Sequence, residues 1–178
     1  MRVAILFEAS GIVRDAFAAR FHDAVSVDTR PTQSPGAHYQ MDAFAFLETP
    51  AFAAAELVIM HYTCTYLCGS GLHWNNRVHG REMMTRRALD QVGQLISACR
   101  HKLWAIENPV GLIGTRIKPA FDTVQPYEFG DDASKRTCFY GNLPKLRRDP
   151  GRRYPGRVVV DKRTGKTVER WSNQTNQG

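Results

Sequence analysis

The chain has 178 residues, of which 43% are hydrophobic and 23% charged, and its formal net charge is +7. This composition predicts one globular domain; no apolar run approaches a membrane span and Met1–Phe7 is too short for a signal peptide, so we expect no membrane partner. The positive charge, which is concentrated in the second half, favours a polyanionic partner.

The N-terminal part predicts a strand, a turn and a helix in succession. Arg2–Phe7 reads as the strand and Glu8–Gly11 as a small-residue turn. Ile12–Arg20 is expected to be a helix with Arg14 and Asp15 on its outer face. Such a strand–turn–helix unit is a common cradle for a nucleotide-like cofactor, although one glycine equally fits an ordinary turn.

Two acidic residues follow at places where a cofactor could be held. Ala24–Val27 is predicted to be the second strand, and Asp28 at its end could accept both hydroxyls of a ribose or lie in solvent. A loop is expected up to His38, followed by a helix over Ala43–Ala55 with a break near Pro50. Asp42, which precedes this helix, either is its N-cap or contacts an adenine amino group.

The middle of the chain contains the candidate catalytic residues. Leu57–Met60 is an unbroken apolar run, typical of a buried parallel strand, and the polar stretch after it carries Cys64. A helix predicted over Arg81–His101 leads to a second such strand, which ends at Glu107. A right-handed crossover would bring both strand ends to the same end of the sheet, so that a thiol and a carboxylate share one pocket. Taken alone, the cysteine also fits a buried structural thiol.

The four cysteines show no extracellular disulfide framework, which predicts a reducing, cytoplasmic location. The spacing of Cys64 and Cys68 could begin a zinc site, but no second pair of ligands follows, so no metal is expected. Helical spacing places Cys99 on the core face of its helix and predicts an inert thiol.

The second half is expected to be less regular and more basic. Gly111–Tyr127 shows no clear periodicity, and the loop after it feeds a strand that ends at Tyr140. A hairpin is predicted from Arg157–Val160 and Thr167–Trp171, followed by a frayed tail over Ser172–Gly178. We therefore divide the chain into a catalytic domain, 1–144, and a basic C-terminal segment, 145–178. The residues expected to contact phosphates of a nucleic acid are Lys135, Lys145, Arg147, Arg148, Arg152, Arg153 and Arg157.

The order of these parts resembles the DNA cytosine-5 methyltransferases, and most closely a short phage and prophage group among them. The turn after the first strand looks like the family's first cofactor motif, and the middle and late motifs follow in the family's order. The matching positions are Phe7, Glu8, Ser10 and Gly11 for the cofactor turn, Asp28 and Asp42 for ribose and adenine, Cys64 for the nucleophile, Glu107 and Asn108 for the Glu-Asn motif, and Lys135 and Arg136 for the basic motif.

This resemblance implies a fold, a cofactor and residue roles. The fold is an α/β, Rossmann-like, doubly wound and mostly parallel sheet, and the methyl donor is S-adenosylmethionine. Cys64 would add to C6 of a cytosine, and Glu107 would assist at N3, with a pKa raised towards neutrality by burial. Asn108 would hold the nucleophile loop, and Arg136 would reach the carbonyl oxygen of the base.

The sequence departs from the family at several points. Relatives usually carry proline immediately before the nucleophile, where this chain has His61-Tyr62-Thr63. Little sequence is left for a target-recognition domain, so the substrate is expected to be DNA or a free cytosine nucleotide, with specificity possible through a partner protein. If the chain is encoded by a phage, its location is the host cytoplasm.

Two other functions remain open at this stage. One is a catalytically degenerate relative that binds nucleic acid or cofactor in an accessory or anti-restriction role. The other is a nucleotide-binding module that uses a different cofactor. Binding of S-adenosylmethionine without methyl transfer would indicate the first, and no affinity for S-adenosylmethionine would indicate the second.

Overall fold

A computed structural model describes residues 1–174 of the chain. The strands found there are β1 (Arg2–Leu6), β2 (Asp23–Asp28), β3 (His38–Gln40), β4 (Leu57–Met60), β5 (Leu103–Pro109), β6 (Asp122–Val124), β7 (Thr137–Gly141), β8 (Arg157–Val160) and β9 (Thr167–Arg170). The α-helices are α1 (Ile12–Ala18), α2 (Ala43–Phe46), α3 (Pro50–Ala54) and α4 (Arg81–Ala98). The helical segments of 3₁₀ or π geometry are Gly69–Asn76, Ile113–Ile117, Pro126–Phe129 and Pro150–Arg152.

Seven strands form one mixed sheet in the order β3-β2-β1-β4-β5-β7-β6. The first five strands in this order are parallel to their neighbours, whereas β7 runs antiparallel to both β5 and β6. The chain order reverses between β1 and β4, and open α/β sheets bind ligands at such a switch point, just beyond the carboxyl ends of the strands. The sheet confirms the predicted α/β class and is compatible with a Rossmann-like fold.

Each face of the sheet has its own core, because successive strand side chains point to opposite faces. On one face, Val3 packs in a cluster with Val13 and Phe17 of α1. On the other face, Leu6 joins a larger cluster that includes apolar side chains of α2, α3 and α4. Helices therefore cover both faces, which explains why β4 is a wholly buried apolar run. Among the helices of residues 1–174, none is long and apolar enough to cross a bilayer.

The sequence prediction misses two short strands. β3 lies where a loop is expected, and β6 lies within Gly111–Tyr127, so the expectation of an irregular segment there is wrong. Each strand has three residues and is held by a neighbour, β3 by β2 and β6 by β7, so neither leaves a local pattern. The predicted break near Pro50 is confirmed, because α2 ends at Phe46 and α3 begins at Pro50. Thr49 is the N-cap of α3, and its hydroxyl accepts a hydrogen bond from the Phe52 N–H at 3.2 Å.

Arg14 is wrongly predicted to lie on the outer face of α1. Its side chain is 1% exposed, and it donates hydrogen bonds to the carbonyl oxygens of Ser34 and Pro35 at 3.0 and 3.1 Å. It also pairs with Asp15 at 2.8 Å and donates to the Ser26 hydroxyl at 3.2 Å. A buried guanidinium needs such partners for its donors, so Arg14 fastens the loop between β2 and β3 onto α1.

The C-terminal segment is attached to the main domain, which corrects the prediction that it frays from Ser172 onward. The Ser172 N–H donates to the carboxylate of Asp132 at 3.0 Å, and Asn173 exchanges two hydrogen bonds of 2.8 Å with the backbone of Ser134. The predicted hairpin is confirmed as β8 paired antiparallel with β9. The last part of the predicted frayed tail, residues 175–178, lies outside the described residues.

Candidate active site

The candidate nucleophile lies just beyond the carboxyl end of β4. β4 and β5 are parallel neighbours, with Leu57 opposite Leu103 and Met60 opposite Ile106. The segments that follow the two strands, which carry Cys64 and Glu107, therefore lie at the same end of the sheet. Cys64 is exposed, as a thiol that must reach a substrate has to be.

The loop that carries Cys64 is held in place although proline is absent from it. The Asn108 side-chain amide donates to the Tyr62 carbonyl oxygen at 2.8 Å, from a position that is itself buried. The buried Tyr62 hydroxyl donates to the Gln91 side chain on α4 at 2.6 Å. Beyond Cys64, the Arg81 guanidinium donates to the Thr65 carbonyl oxygen at 2.7 Å. These hydrogen bonds fix the backbone on both sides of the thiol.

A close backbone contact anchors the far end of the same loop. The Gly69 N–H donates to the Val110 carbonyl oxygen at 2.9 Å, and the Leu112 N–H donates to the Leu67 carbonyl oxygen at 2.8 Å. A Cβ on Gly111 would lie 2.0 Å from the Leu67 carbonyl oxygen, so only glycine allows this approach. This role of Gly111 was not predicted, although a glycine two residues after the Glu-Asn-Pro motif was a visible signal in the sequence.

Glu107 is paired with a histidine that the sequence analysis did not select. His61, the first residue after β4, has its Nδ1 atom 3.4 Å from the Glu107 Oε2 atom, and the side chains are 28% and 22% exposed. The His61 hydrogen bond lowers the pKa of Glu107, against the opposing effect of burial, and the charge of Lys135 lowers this pKa further. The expectation that burial raises the pKa of Glu107 is therefore wrong for the protein without substrate.

His61 also has one ring nitrogen free for a further contact. Its Nε2 atom is buried and has no hydrogen-bond partner within the described residues. The sequence signal that could have identified His61 is its position, directly after an apolar strand and three residues before Cys64.

Two basic residues reach the same end of the sheet from β7. Because β7 is antiparallel to β5, its first residue, Thr137, lies opposite Pro109 at the carboxyl end of β5. Lys135 and Arg136 immediately precede it and are exposed. The influence of Lys135 on the pKa of Glu107 agrees with this placement.

The turn after β1 lies on the other side of the switch point. Phe7 has a left-handed backbone, with φ of 62°, and its ring packs edge-on against Tyr62 at 5.3 Å between centroids. Glu8 is buried, and its carboxylate accepts the N–H groups of Val13 and Arg14 at 2.6 and 3.2 Å, so it caps the first turn of α1.

Two small residues complete this turn. The Ser10 hydroxyl donates to Glu8 at 3.3 Å, and Gly11 has φ of 77°, in the left-handed region that glycine favours. The shape of the turn thus depends on a capping carboxylate and on this glycine. Glu8 is therefore a buried residue that stabilises the turn. If its carboxylate contacts a cofactor, it does so while it also caps α1.

The two acidic residues predicted to hold a cofactor lie at the carboxyl ends of β2 and β3. Burial alone would raise the pKa of Asp28, but hydrogen bonds from the Arg30 side chain and N–H lower it on balance. The Asp28 side chain is 10% exposed and that of Arg30 is 68% exposed. Asp42 caps α2, accepting the N–H groups of Phe44 and Ala45 at 2.8 and 3.2 Å, as the N-cap interpretation predicts.

Two of the predicted phosphate-contacting arginines are engaged within the protein. Arg148 makes a bidentate pair with the buried Asp122, with nitrogen–oxygen distances of 2.9 and 3.2 Å, and also pairs with Glu128. Arg153 pairs with Glu169. The exposed members of the predicted basic surface that make no ion pair within residues 1–174 are Lys135, Lys145, Arg147, Arg152 and Arg157.

The remaining cysteines differ from Cys64 in their surroundings. Cys68 is partly exposed, with its Sγ atom 3.4 Å from the Ser70 hydroxyl. Cys99 is buried, and burial raises its pKa to about 11. Cys138 is also buried. Within residues 1–174, no group of three or more His, Cys, Asp or Glu side chains could hold a metal ion.

No protein-family model matches this chain, and a search of curated proteins finds no match either. The resemblance to cytosine-5 methyltransferases is therefore a hypothesis carried by the order of the motifs.

Proposed function

We propose that this protein is a cytosine C5 methyltransferase that uses S-adenosylmethionine and acts on DNA or on a cytosine nucleotide. The observation that carries the proposal is the double link between β4 and β5. On β5, Asn108 holds the Tyr62 carbonyl oxygen and Glu107 pairs with His61, so two residues of β5 hold the two residues that come after β4. These links join an exposed thiol and a carboxyl group at one end of the sheet, which is what addition to a cytosine ring requires.

The residues around the switch point fit S-adenosylmethionine by their chemistry. Asp28 offers a carboxylate at the end of β2, where ribose hydroxyls can be accepted. Its present partner, Arg30, has an exposed side chain that can move aside. The partly exposed ring of Phe7, which packs edge-on against the buried Tyr62, offers apolar surface beside the turn after β1. The mostly parallel sheet also agrees with the fold that the family resemblance implies.

In the proposed reaction, the thiolate of Cys64 adds to C6 of cytosine and moves electron density onto C5, which is otherwise a poor nucleophile. S-adenosylmethionine would supply an electrophilic methyl group to that carbon. Glu107 donates a proton or hydrogen bond at N3 during the addition, and Arg136 contacts the carbonyl oxygen of the base. The C5 proton then leaves to a solvent water, the C5–C6 double bond re-forms and expels the thiolate, and a proton donated at N3 returns to Glu107. A cytosine within a duplex first has to be flipped out of the stack.

The pair formed by His61 and Glu107 predicts a pH dependence. The hydrogen bond from His61 lowers the pKa of Glu107, so the carboxyl group loses its proton at a lower pH than it would alone. Because the reaction uses protonated Glu107 together with ionised Cys64, His61→Ala should enlarge the population that has both. The low-pH limb of the kcat/KM profile should therefore move to higher pH, and kcat/KM near neutral pH should rise if the loop stays in place. Methyl-transfer rates of both proteins across pH provide the measurement. A low-pH limb that stays in place, or moves to lower pH, would contradict the pairing.

The cofactor site is tested by Asp28→Ala. This change removes charge-assisted hydrogen bonds worth roughly 1.5–3 kcal/mol, so affinity for S-adenosylmethionine should drop about tenfold or more. Arg30→Ala is the matched control, since it removes the competing cation and keeps the carboxylate, and its affinity should equal or exceed that of the wild type. Calorimetry measures both constants. An unchanged affinity in Asp28→Ala would remove this residue from the site.

The proposed activity is tested by methyl transfer from tritiated S-adenosylmethionine to DNA, RNA, dCMP and dCTP in parallel. We expect label in at least one deoxycytidine-containing substrate, located at C5. Tight cofactor binding without transfer to any of them would favour a degenerate binding protein instead. No affinity for S-adenosylmethionine would favour a module that uses another cofactor.

A further inference from the structure

β8 and β9 form a two-stranded ribbon that is separate from the seven-stranded sheet. A two-stranded ribbon is marginally stable by itself, so its base needs support. Trp171 provides it by stacking on Tyr127, with ring centroids 3.8 Å apart and planes 7° from parallel. The Trp171 ring N–H donates to the Tyr154 carbonyl oxygen at 3.2 Å, and the Arg153 guanidinium lies over both stacked rings.

This base lies at the same end of the main sheet as the candidate active site. The loop that leads into β7 ends opposite Pro109, at the carboxyl end of β5. In that loop Asp132 and Ser134 hold Ser172 and Asn173, the residues just after the ribbon. The ribbon is therefore tied to the chain immediately before Lys135 and Arg136.

The far end of the ribbon is basic. Lys162, Arg163 and Lys166 are exposed there, and no ion pair engages them within residues 1–174. The one acid of the tip, Asp161, is occupied by the turn, accepting the N–H groups of residues 163 and 164 at 3.1 and 2.8 Å, and by the Arg170 guanidinium at 3.4 Å.

The ribbon also has exposed apolar side chains on β8. Val158 is 71% exposed and Val160 is 65% exposed, which is unusual for two valines on the same face of a strand. Opposite these valines, the same face carries Thr167 and Glu169, and the charge of Glu169 is balanced by its ion pair with Arg153. Such a face with a cationic tip is complementary to a groove that is lined by phosphates and displays thymine methyl groups.

We propose that this ribbon enters the major groove of duplex DNA beside the cytosine that Cys64 attacks. The major groove of B-form DNA is about 12 Å wide and admits a two-stranded ribbon, whereas that of an RNA duplex is deep and narrow. The tip cations contact phosphates, and the anchored base sets the distance from the groove to the active site. This inference rests on the proposed function, because it names the polymer on which the enzyme acts.

The test compares two charge-matched double variants of the full chain. Arg163→Ala/Lys166→Ala removes two cations from the tip. Arg20→Ala/Arg100→Ala removes two exposed cations that follow α1 and α4, at the opposite end of the sheet. Binding of a fluorescent DNA duplex is measured by anisotropy from low to physiological salt. The tip variant should lose about tenfold in affinity, and its log–log salt slope should shrink by about 0.9 for each lost contact, whereas the control should match the wild type.

Failure of this inference is separable from failure of the proposed activity. Equal losses in the tip variant and the control, or no loss in either, would overturn the ribbon proposal even if the wild type methylates DNA. Wild-type protein that transfers no methyl group would overturn the activity, while the same titration still reports whether the tip binds duplex. An RNA duplex bound as tightly as DNA, with the same loss in the tip variant, would overturn the major-groove assignment.

Discussion

A Cys64→Ser variant is expected to lose methyl transfer completely while keeping wild-type affinity for S-adenosylmethionine. A serine hydroxyl is barely ionised near neutral pH, so it cannot replace a thiolate in the addition to C6. The side chain is exposed, so the change should leave the fold intact. Tritium transfer to DNA and calorimetry with S-adenosylmethionine measure the two properties separately.

Cys68→Ser is the matched control for this experiment. Cys68 lies four residues further on, with its Sγ atom near the Ser70 hydroxyl, and is the second thiol of the same loop. We expect this variant to retain transfer at a rate close to that of the wild type. Loss of transfer in Cys68→Ser together with retention in Cys64→Ser would reverse the assignment of the nucleophile.

A Glu107→Gln variant is expected to slow the chemical step by roughly 10²–10⁴-fold, the usual contribution of a positioned proton donor. The amide keeps the size of the side chain and can still accept from His61, so the loop should remain in place. Single-turnover transfer with saturating DNA and S-adenosylmethionine measures this step without interference from product release.

An exposed glutamate far from the site gives the comparison. Glu48 is an exposed residue that comes after α2, and Glu48→Gln makes the same chemical change on the surface. This variant should leave the rate unaltered. A Glu107→Gln rate within a few-fold of the wild type would show that N3 is assisted by another group. A large loss that is the same at every pH would indicate a positioning role for Glu107 rather than proton donation.

The long buried strands could be predicted from the sequence, and the short ones could not. β4 is a continuous apolar run, and such a run indicates a strand covered on both faces. β3 and β6 exist because β2 and β7 pair with them, and three residues carry no periodicity of their own. The antiparallel direction of β7 was equally invisible, because strand direction is decided by the partner.

The residues of the candidate site could be predicted from the sequence, but the contacts between them could not. Cys64 and Glu107 follow two apolar strands joined by a helix, which is enough to place both at one end of a parallel sheet. The pairing of Glu107 with His61 is a contact between strands, and its effect on the pKa depends on a distance of 3.4 Å that no sequence pattern encodes.

Arg14 on α1 is a further case in which a tertiary contact could not be predicted from the local sequence pattern. Its position on α1 is outward by periodicity, yet the loop between β2 and β3 folds over it and supplies carbonyl acceptors. Burial of a charged residue is decided by such tertiary partners, so local pattern analysis assigns it to the surface.

The central claim is that Cys64 bonds covalently to C6 of a cytosine, and a DNA duplex that contains 5-fluorocytosine tests it most directly. After methylation of C5, fluorine cannot leave as a proton does, so the thiol cannot be expelled and the adduct accumulates. With S-adenosylmethionine present, intact mass should show one protein joined to one DNA strand, and peptide mapping should place the link on Cys64. An adduct on Cys68, or no adduct with any cytosine substrate despite tight cofactor binding, would contradict the account.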